Sequence, residues 1–279
     1  MRSEPSAEAP FASLAALEKL STADFPGSTA IFFRLRPGVL LKAAVKIGED
    51  QVTHKRPSVV SKYIIEEQIL QRLGSHPRIV SFLGPHPNGL LMAEASHGNL
   101  QSYLHDHASS MPLRLRQKWF IQAVDSIAFI HSRGVIHCDL RPDNFLVHGT
   151  GPDSLDLWLC DFGGSTCEEL ALCADKLPDS GFYNPKLEWK EITFTVDIFS
   201  LGSVLYAIVT GHWPFRASTG PFSSVEEIGE YEASVDAYFA DGKFPGVEGL
   251  FGGDIILGCW DGTFSKASEI VAAVQKLEL

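Results

Sequence analysis

The sequence predicts an α+β fold, with strands concentrated in the first third of the chain and helices filling most of the rest. Two observations predict it. Between residues 25 and 47, apolar and aromatic runs flank an Arg36-Pro37-Gly38 turn, the pattern of paired strands. From residue 114 onward, apolar residues recur at helical spacing, as in Trp119, Phe120, Ala123, Ile127 and Ile130. A third observation organises the whole. Between Gly134 and Val147, two short apolar runs bracket His137, Asp139, Pro142 and Asn144. An acid and an amide pinned at the two ends of one loop suit a defined job. The acid accepts a proton from a hydroxyl, and the amide oxygen holds a hard cation beside it.

Composition narrows the classes. With 45% hydrophobic and 20% charged residues in 279, the chain has material for one large domain or two lobes. A net charge of −11 argues against binding a nucleic-acid backbone, although a nucleotide site with local cations remains compatible. The five cysteines, Cys138, Cys160, Cys167, Cys173 and Cys259, follow no metal-binding spacing and read as free thiols of a reducing compartment. No signal peptide or membrane-spanning run is legible, so the expectation is a cytoplasmic protein, the nucleus remaining open.

Taken in order, residues 1–10 read as a polar tail, and Phe11, Leu14, Leu17 and Leu20 predict a short amphipathic helix packed on its own domain. Strands are expected at Ala30–Leu35 and Val39–Ile47, preceded by Gly27, Ser28 and Thr29, whose N–H groups are suited to approach a phosphate. Residues 57–74 predict a helix stopped by Gly74. Residues 114–133 predict a core helix, and Leu155–Leu159 a strand that delivers Cys160-Asp161-Phe162-Gly163. A polar segment, 165–188, follows. Asp197–Tyr206 is an apolar helix with an acid near its start, and further helices close the core with Ile255–Trp260 and Ile270–Leu277.

His137-Cys138-Asp139-Leu140 with Asn144, followed roughly twenty residues later by Asp161-Phe162-Gly163, resembles the paired catalytic and metal-binding loops of eukaryotic protein kinases. Asp197-Ile198-Phe199-Ser200-Leu201-Gly202 resembles a buried helix of the same family, whose acid holds the catalytic loop. The resemblance implies a bilobal fold: a small β-rich N-lobe with one helix, about 25–94, a hinge about 95–97, and a larger mostly helical C-lobe, about 98–279, after an extension of 1–24. It implies ATP and Mg²⁺ in the cleft, with Asp139 as proton acceptor and Asn144 and Asp161 as metal ligands.

The phosphate-binding lysine is Lys42 or Lys46. Both fall on one strand face, and the tight preceding turn favours Lys42. Glu66 would pair with it. Gly27, Glu94, Ser96 and Leu146 fall at nucleotide-binding positions, and Ala93 would stand behind the adenine. Arg141 stands where serine/threonine kinases usually carry lysine and many tyrosine kinases arginine, whereas Pro142 beside it resembles the serine/threonine pattern. Cys138 replaces the arginine that binds an activating phosphate, Lys186 replaces a usual glutamate, and the glycine loop is poor. The implied function is phosphoryl transfer from ATP to a protein hydroxyl, free of a need for phosphorylation on the 165–188 segment. A nucleotide-binding pseudokinase scaffold and a small-molecule kinase are the alternatives.

Overall fold

The computed structural model describes residues 18–19, 31–43, 57–151, 154–173, 178–187, 192–216, 218 and 220–277, with the side chains of 18–19 and 57–60 left aside. A five-stranded antiparallel sheet forms first, in the order β1-β2-β3-β5-β4. Its strands are β1 (Glu18–Lys19), β2 (Ile31–Arg36), β3 (Val39–Ala43), β4 (Phe82–His86) and β5 (Gly89–Ala93). β2 and β3 turn at Gly38, whose φ of 79° a side chain would resist. β5 lies so close to β3 that a Cβ at Gly89 would overlap the Lys42 carbonyl.

The helical spacing of Phe11 to Leu20 is not realised where the chain is described. Glu18 and Lys19 pair with Arg34 and Phe33 as an edge strand, because backbone groups of β2 stand ready to pair there. The remainder of that segment lies outside the described residues, as do Gly27, Ser28, Thr29 and Lys46.

Helix α1 (Pro57–Leu73) crosses one face of the sheet. Tyr63, Glu66, Ile69, Leu70 and Leu73 are buried along one stripe. Gly74, at φ 65°, returns its N–H to the Leu70 carbonyl and ends the helix. The opposite sheet face carries a small cluster of Phe33, Leu41 and Ala43.

The second lobe is built on α2 (Leu100–His107), α3 (Leu113–Ser132), α4 (Phe194–Thr210), α5 (Val225–Ala240), α6 (Gly253–Trp260) and α7 (Ala267–Val274), with a hairpin of β6 (Phe145–Gly151) and β7 (Ser154–Leu159). α4 is buried continuously from Val196 to Ile208, as expected of a helix apolar on every side. α6 reaches it closely at Gly202, where a Cβ would come within 2.8 Å of Cys259. Main chain is one of the ties between the lobes: Val80 N–H bonds the Leu159 carbonyl at 3.0 Å, and Leu159 N–H bonds the Arg78 carbonyl at 2.8 Å. Among the described residues no helix is long and apolar enough to cross a membrane.

Candidate active site

Lys42 lies on β3 directly opposite Leu90 of β5, and the pleat turns both toward α1. Its Nζ donates to both Glu66 oxygens, at 2.9 and 2.7 Å, and to Asp161 Oδ1 at 2.7 Å. Burial by itself would lower the Lys42 pKa. Asp161 and Glu66 more than offset it, and the ammonium titrates above its ordinary range. Burial pushes the Glu66 carboxyl up while Lys42 pulls it back, and the Phe162 N–H also donates to it. Asp161, facing the same ammonium, is held below the usual carboxylate range.

Asp161 has φ 63° and ψ 64°, a left-handed backbone that costs about 1–2 kcal/mol for a residue with a Cβ. The conformation aims its carboxylate at Lys42 while Phe162 drops into the core at 0% exposure. Gly163 then packs under α1, where a Cβ would lie 3.4 Å from Lys62.

The loop from His137 to Asn144 is held from below. Asp197, fully buried on α4, accepts from the N–H groups of His137 (2.7 Å) and Cys138 (2.9 Å), and its Oδ2 lies 2.9 Å from His131 Nε2. His137 Nδ1 accepts from the Asp139 N–H at 3.3 Å, so its Nε2 carries the proton and donates to the Cys160 carbonyl at 2.9 Å. The Cys160 N–H donates to the Asn144 carbonyl at 2.9 Å. Bonds on both sides of Cys160 thus staple the Asp161 turn to the loop of Asp139 and Asn144. Asn144 Nδ2 donates to the Asp139 carbonyl at 2.6 Å, which leaves its Oδ1 as the outward acceptor.

Arg141 donates to Asp179 in the segment before α4. Burial would lower its pKa, but Asp143, Asp139, Asp179 and Asp161 together raise it. Of the four, Asp179 accepts a hydrogen bond and Asp143 lies 3.9 Å from Nε, while Asp139 and Asp161 act through their charge. The Arg141–Asp179 pair joins loops 38 residues apart, and no local pattern in the sequence announces it.

Between the lobes, the side chains of Glu94 and Ser96 are already engaged. Glu94 accepts from Arg34 and from the Gly38 N–H, and Ser96 Oγ accepts from the Gly149 N–H at 2.8 Å. The Glu94 N–H is also taken, by the Gly38 carbonyl. Ala95 between them belongs to the linker expected from sequence to offer its main chain. Among the described residues its N–H and C=O have no hydrogen-bond partner. Ala93 does not stand on the cleft side of β5. It pairs with Val39, whereas Met92, opposite Leu40 and 5% exposed, shares the face of Lys42. The expectation was one residue out of step, and in a strand one residue reverses the face. Leu146, on β6, is bridged to Asn99 beside the linker.

Similarity to known proteins follows the same residues. A family model described as protein kinase domain matches residues 40–244. Serine/threonine/tyrosine-protein kinase HT1 of Arabidopsis thaliana is 28% identical over 199 residues, 67% of this chain and 49% of that one. Serine/threonine-protein kinase PDK1 of Cryptococcus neoformans is 29% identical over 138 residues, 46% of this chain and 11% of its own length. The chain thus spans less than half the length of either relative. Among solved structures, the crystal structure of the Rad53 kinase domain and SCD2 aligns with a TM-score of 0.63 at 20% identity, covering 90% of this chain and 88% of that one.

Proposed function

Because this chain belongs to the protein kinase domain family, we propose that it transfers the terminal phosphoryl group of ATP to a protein hydroxyl, serine or threonine in preference to tyrosine. The observation that carries the reading is the Lys42 ammonium held by Glu66 and Asp161, beside a loop that bears Asp139 and Asn144. Such a triad fixes a cation where phosphate oxygens would lie, and positioned charge supplies most of the rate in phosphoryl transfer.

The donor set fits a hard cation. Asp161 offers a carboxylate and Asn144 an amide oxygen, and no group of three or more His, Cys, Asp or Glu among the described residues could hold a metal by itself. Two oxygens from the protein leave the other positions to phosphate and water, the way Mg²⁺ is held in nucleotide sites. When bound there, Mg²⁺ neutralises charge on the transferring phosphate.

In this reading Lys42 holds phosphate oxygens and Glu66 keeps it oriented. Asp139 orients the acceptor hydroxyl and accepts its proton. The linker meets the adenine edge with the Ala95 N–H and C=O, between the main chains of Glu94 and Ser96, and Leu146 and Met92 supply apolar walls. Gly27 is assigned to the phosphates from sequence alone. The kinase domain is assigned to 25–279 after an extension of 1–24. The preference for serine or threonine is supported by Pro142 and by the name of the Cryptococcus neoformans relative, a serine/threonine-protein kinase. A reducing compartment, the cytoplasm, is supported by five free thiols.

The test is transfer of radiolabelled phosphate to mixed protein acceptors. Asp139→Asn, which keeps the size of the side chain and removes its basicity, is expected to cut incorporation by about 100-fold or more. Equal labelling by the variant would defeat the reading. Nucleotide binding without any transfer by the unaltered chain would favour a scaffold.

A further inference from the structure

A cavity of about 350 Å³ opens between α5 and the loop before it, and no residue of the site above lines it. Four rings wall it: Phe215, Phe222, Tyr231 and Tyr238. Phe215 and Tyr238 lie with centroids 4.7 Å apart, and Phe222 and Tyr231 5.4 Å apart. Phe215 is 37% and Tyr238 41% exposed, so these rings present aromatic surface to water. Phe215 is held there at φ 56°, a backbone that a bulky residue adopts at a cost of about 1–3 kcal/mol.

The charge around the cavity has one sign to spare, because Lys243, whose Nζ lies 6.0 Å from the Tyr238 ring centroid, is itself paired with Asp241 at 3.0 Å. Glu227 and Glu230 line it. α5 carries Glu226, Glu227, Glu230, Glu232 and Asp236, and no lysine or arginine stands between Val225 and Ala240. The one cation in the lining, Arg216, is fully engaged. It donates to the carbonyls of Ser218, Gly220 and Pro221 and to Glu227, and it lies 3.9 Å over the Phe222 ring. No described cation pairs with Glu230. Aromatic faces and an uncompensated carboxylate around one hollow attract a guanidinium or ammonium group.

The cavity is also joined to the acceptor side of the site. Ser180 Oγ donates to Asp236 Oδ2 of α5 at 2.9 Å, and Tyr231 stands so near Gly181 that no Cβ would fit there. The same segment bears Asp179, which holds Arg141 beside the catalytic loop. A protein delivering a hydroxyl to Asp139 would run against this segment, with α5 next to it.

We propose that the cavity docks a basic segment of the protein acceptor, with an arginine or lysine side chain entering among the four rings and its charge set against Glu230. The identity of the partner as an acceptor rests on the phosphoryl-transfer reading. The preference for a cation rests on the rings and carboxylates alone.

The experiment compares two acceptor peptides on the full chain: a serine peptide, and the same peptide extended through a spacer of six or twelve residues by an Arg-Leu-Arg-Leu tail. In the unaltered protein one of the spacers is expected to lower KM about 10-fold at constant kcat. Glu230→Lys and Tyr238→Ala should erase that gain and leave the kinetics of the short peptide unchanged. Glu232→Lys, the same charge change on the same helix but outside the cavity, should keep most of it. Absence of a gain in the unaltered protein, an equal gain in Glu230→Lys and Tyr238→Ala, or an equal loss in Glu232→Lys overturns the proposal. Fluorescence anisotropy of the labelled tail, read without ATP, separates the two readings. Binding that Glu230→Lys abolishes, without turnover of either peptide, sinks the phosphoryl-transfer reading and leaves the cavity as a cation site. Turnover without tail binding sinks the docking site. A dimer in sedimentation velocity that Glu230→Lys dissociates would assign the face to a second copy and overturn the proposal as well.

Discussion

Lys42 pairs with carboxylates from two different elements while only 8% exposed, and this makes it the residue with the most to lose. Lys42→Met is expected to abolish turnover and to lower stability at pH 7 by about 3 kcal/mol, because Glu66 is left as an unpaired charge at 1% exposure. The sign of its pH dependence follows from Glu66, whose folded pKa burial raises above 4.5. The carboxyl is neutral below that range, and the deficit grows as pH rises through the raised value. Melting curves of the variant and the parent between pH 4 and pH 8 check it, and a deficit that does not shrink toward pH 4 would refute it. The choice between Lys42 and Lys46 was not legible in the alternation, since residues four apart share a strand face. Likewise, nothing in Met92-Ala93-Glu94 marks where the pleat points, and the boundary of β5 set the step that was missed. Ala95 was legible only as one residue of the Glu94-Ala95-Ser96 linker, because its contribution is main chain, which any residue type supplies.

At the scale of elements, two ties join pieces distant in sequence. The first is Asp156 on β7, with Lys118 Nζ at 2.6 Å and Gln122 Nε2 at 2.7 Å from α3, and Arg78 from the approach to β4 at 3.5 Å. Burial alone would raise its pKa, but hydrogen bonds from Lys118 and Gln122 and the charges of Arg78 and Lys118 hold it down to about 2. A depressed carboxylate stabilises above its unfolded pKa, near 4, and the contribution disappears as pH falls toward 2. Asp156→Asn should therefore lower stability at pH 7 by about 2 kcal/mol, or ~4–8 °C in Tm, with the difference closing toward pH 2. A difference constant with pH would contradict the argument.

The second tie is Arg72 at the end of α1. Its Nε donates to the Arg133 carbonyl at 2.6 Å, and its Nη2 pairs with Glu169 beyond the Asp161 turn. A carboxylate built into the chain thus holds α1 to the segment that a phosphate would otherwise organise. Phosphatase-treated protein should keep its full rate, and Glu169→Ala should lower kcat by about 3–10-fold, as suits a partly exposed pair of about 1 kcal/mol. Loss of activity on phosphatase treatment would end this account. Helices such as α1 and α3 were legible from periodicity, and α4 from its unbroken apolar run. Ties such as Arg72–Glu169 and Arg141–Asp179 were not, because they join loops by folding rather than by spacing.

For the whole molecule, the two lobes meet through main-chain bonds between Arg78–Val80 and Leu159, through the linker and through side-chain ties such as Lys42–Asp161 and Arg72–Glu169, and in the proposed reading a nucleotide seated between them would bridge both halves. ATP with Mg²⁺ is expected to raise Tm by several degrees, and ATP with a chelator by much less, since Asp161 and Asn144 act on phosphate only through a cation. Asp161→Asn should remove the metal-dependent part of the shift, and asparagine tolerates the left-handed backbone at that position. A shift indifferent to the metal would count against the assigned ligands. The overall architecture was legible because its motifs are separated by strands and helices of clear period. The edge strand at Glu18–Lys19 was not, because a two-residue strand has no period to read.

Cys138 sits at φ 64° with no exposed surface, and its sulfur lies 3.6 Å from the Ile136 carbonyl and 3.7 Å from Thr166 Oγ1. Placing at this position the arginine that the family motif carries would force a guanidinium into a hole sized for a thiol. Cys138→Arg is therefore expected to lower stability by overpacking, and a phosphate site at this position would need Thr166 and its neighbours to move as well.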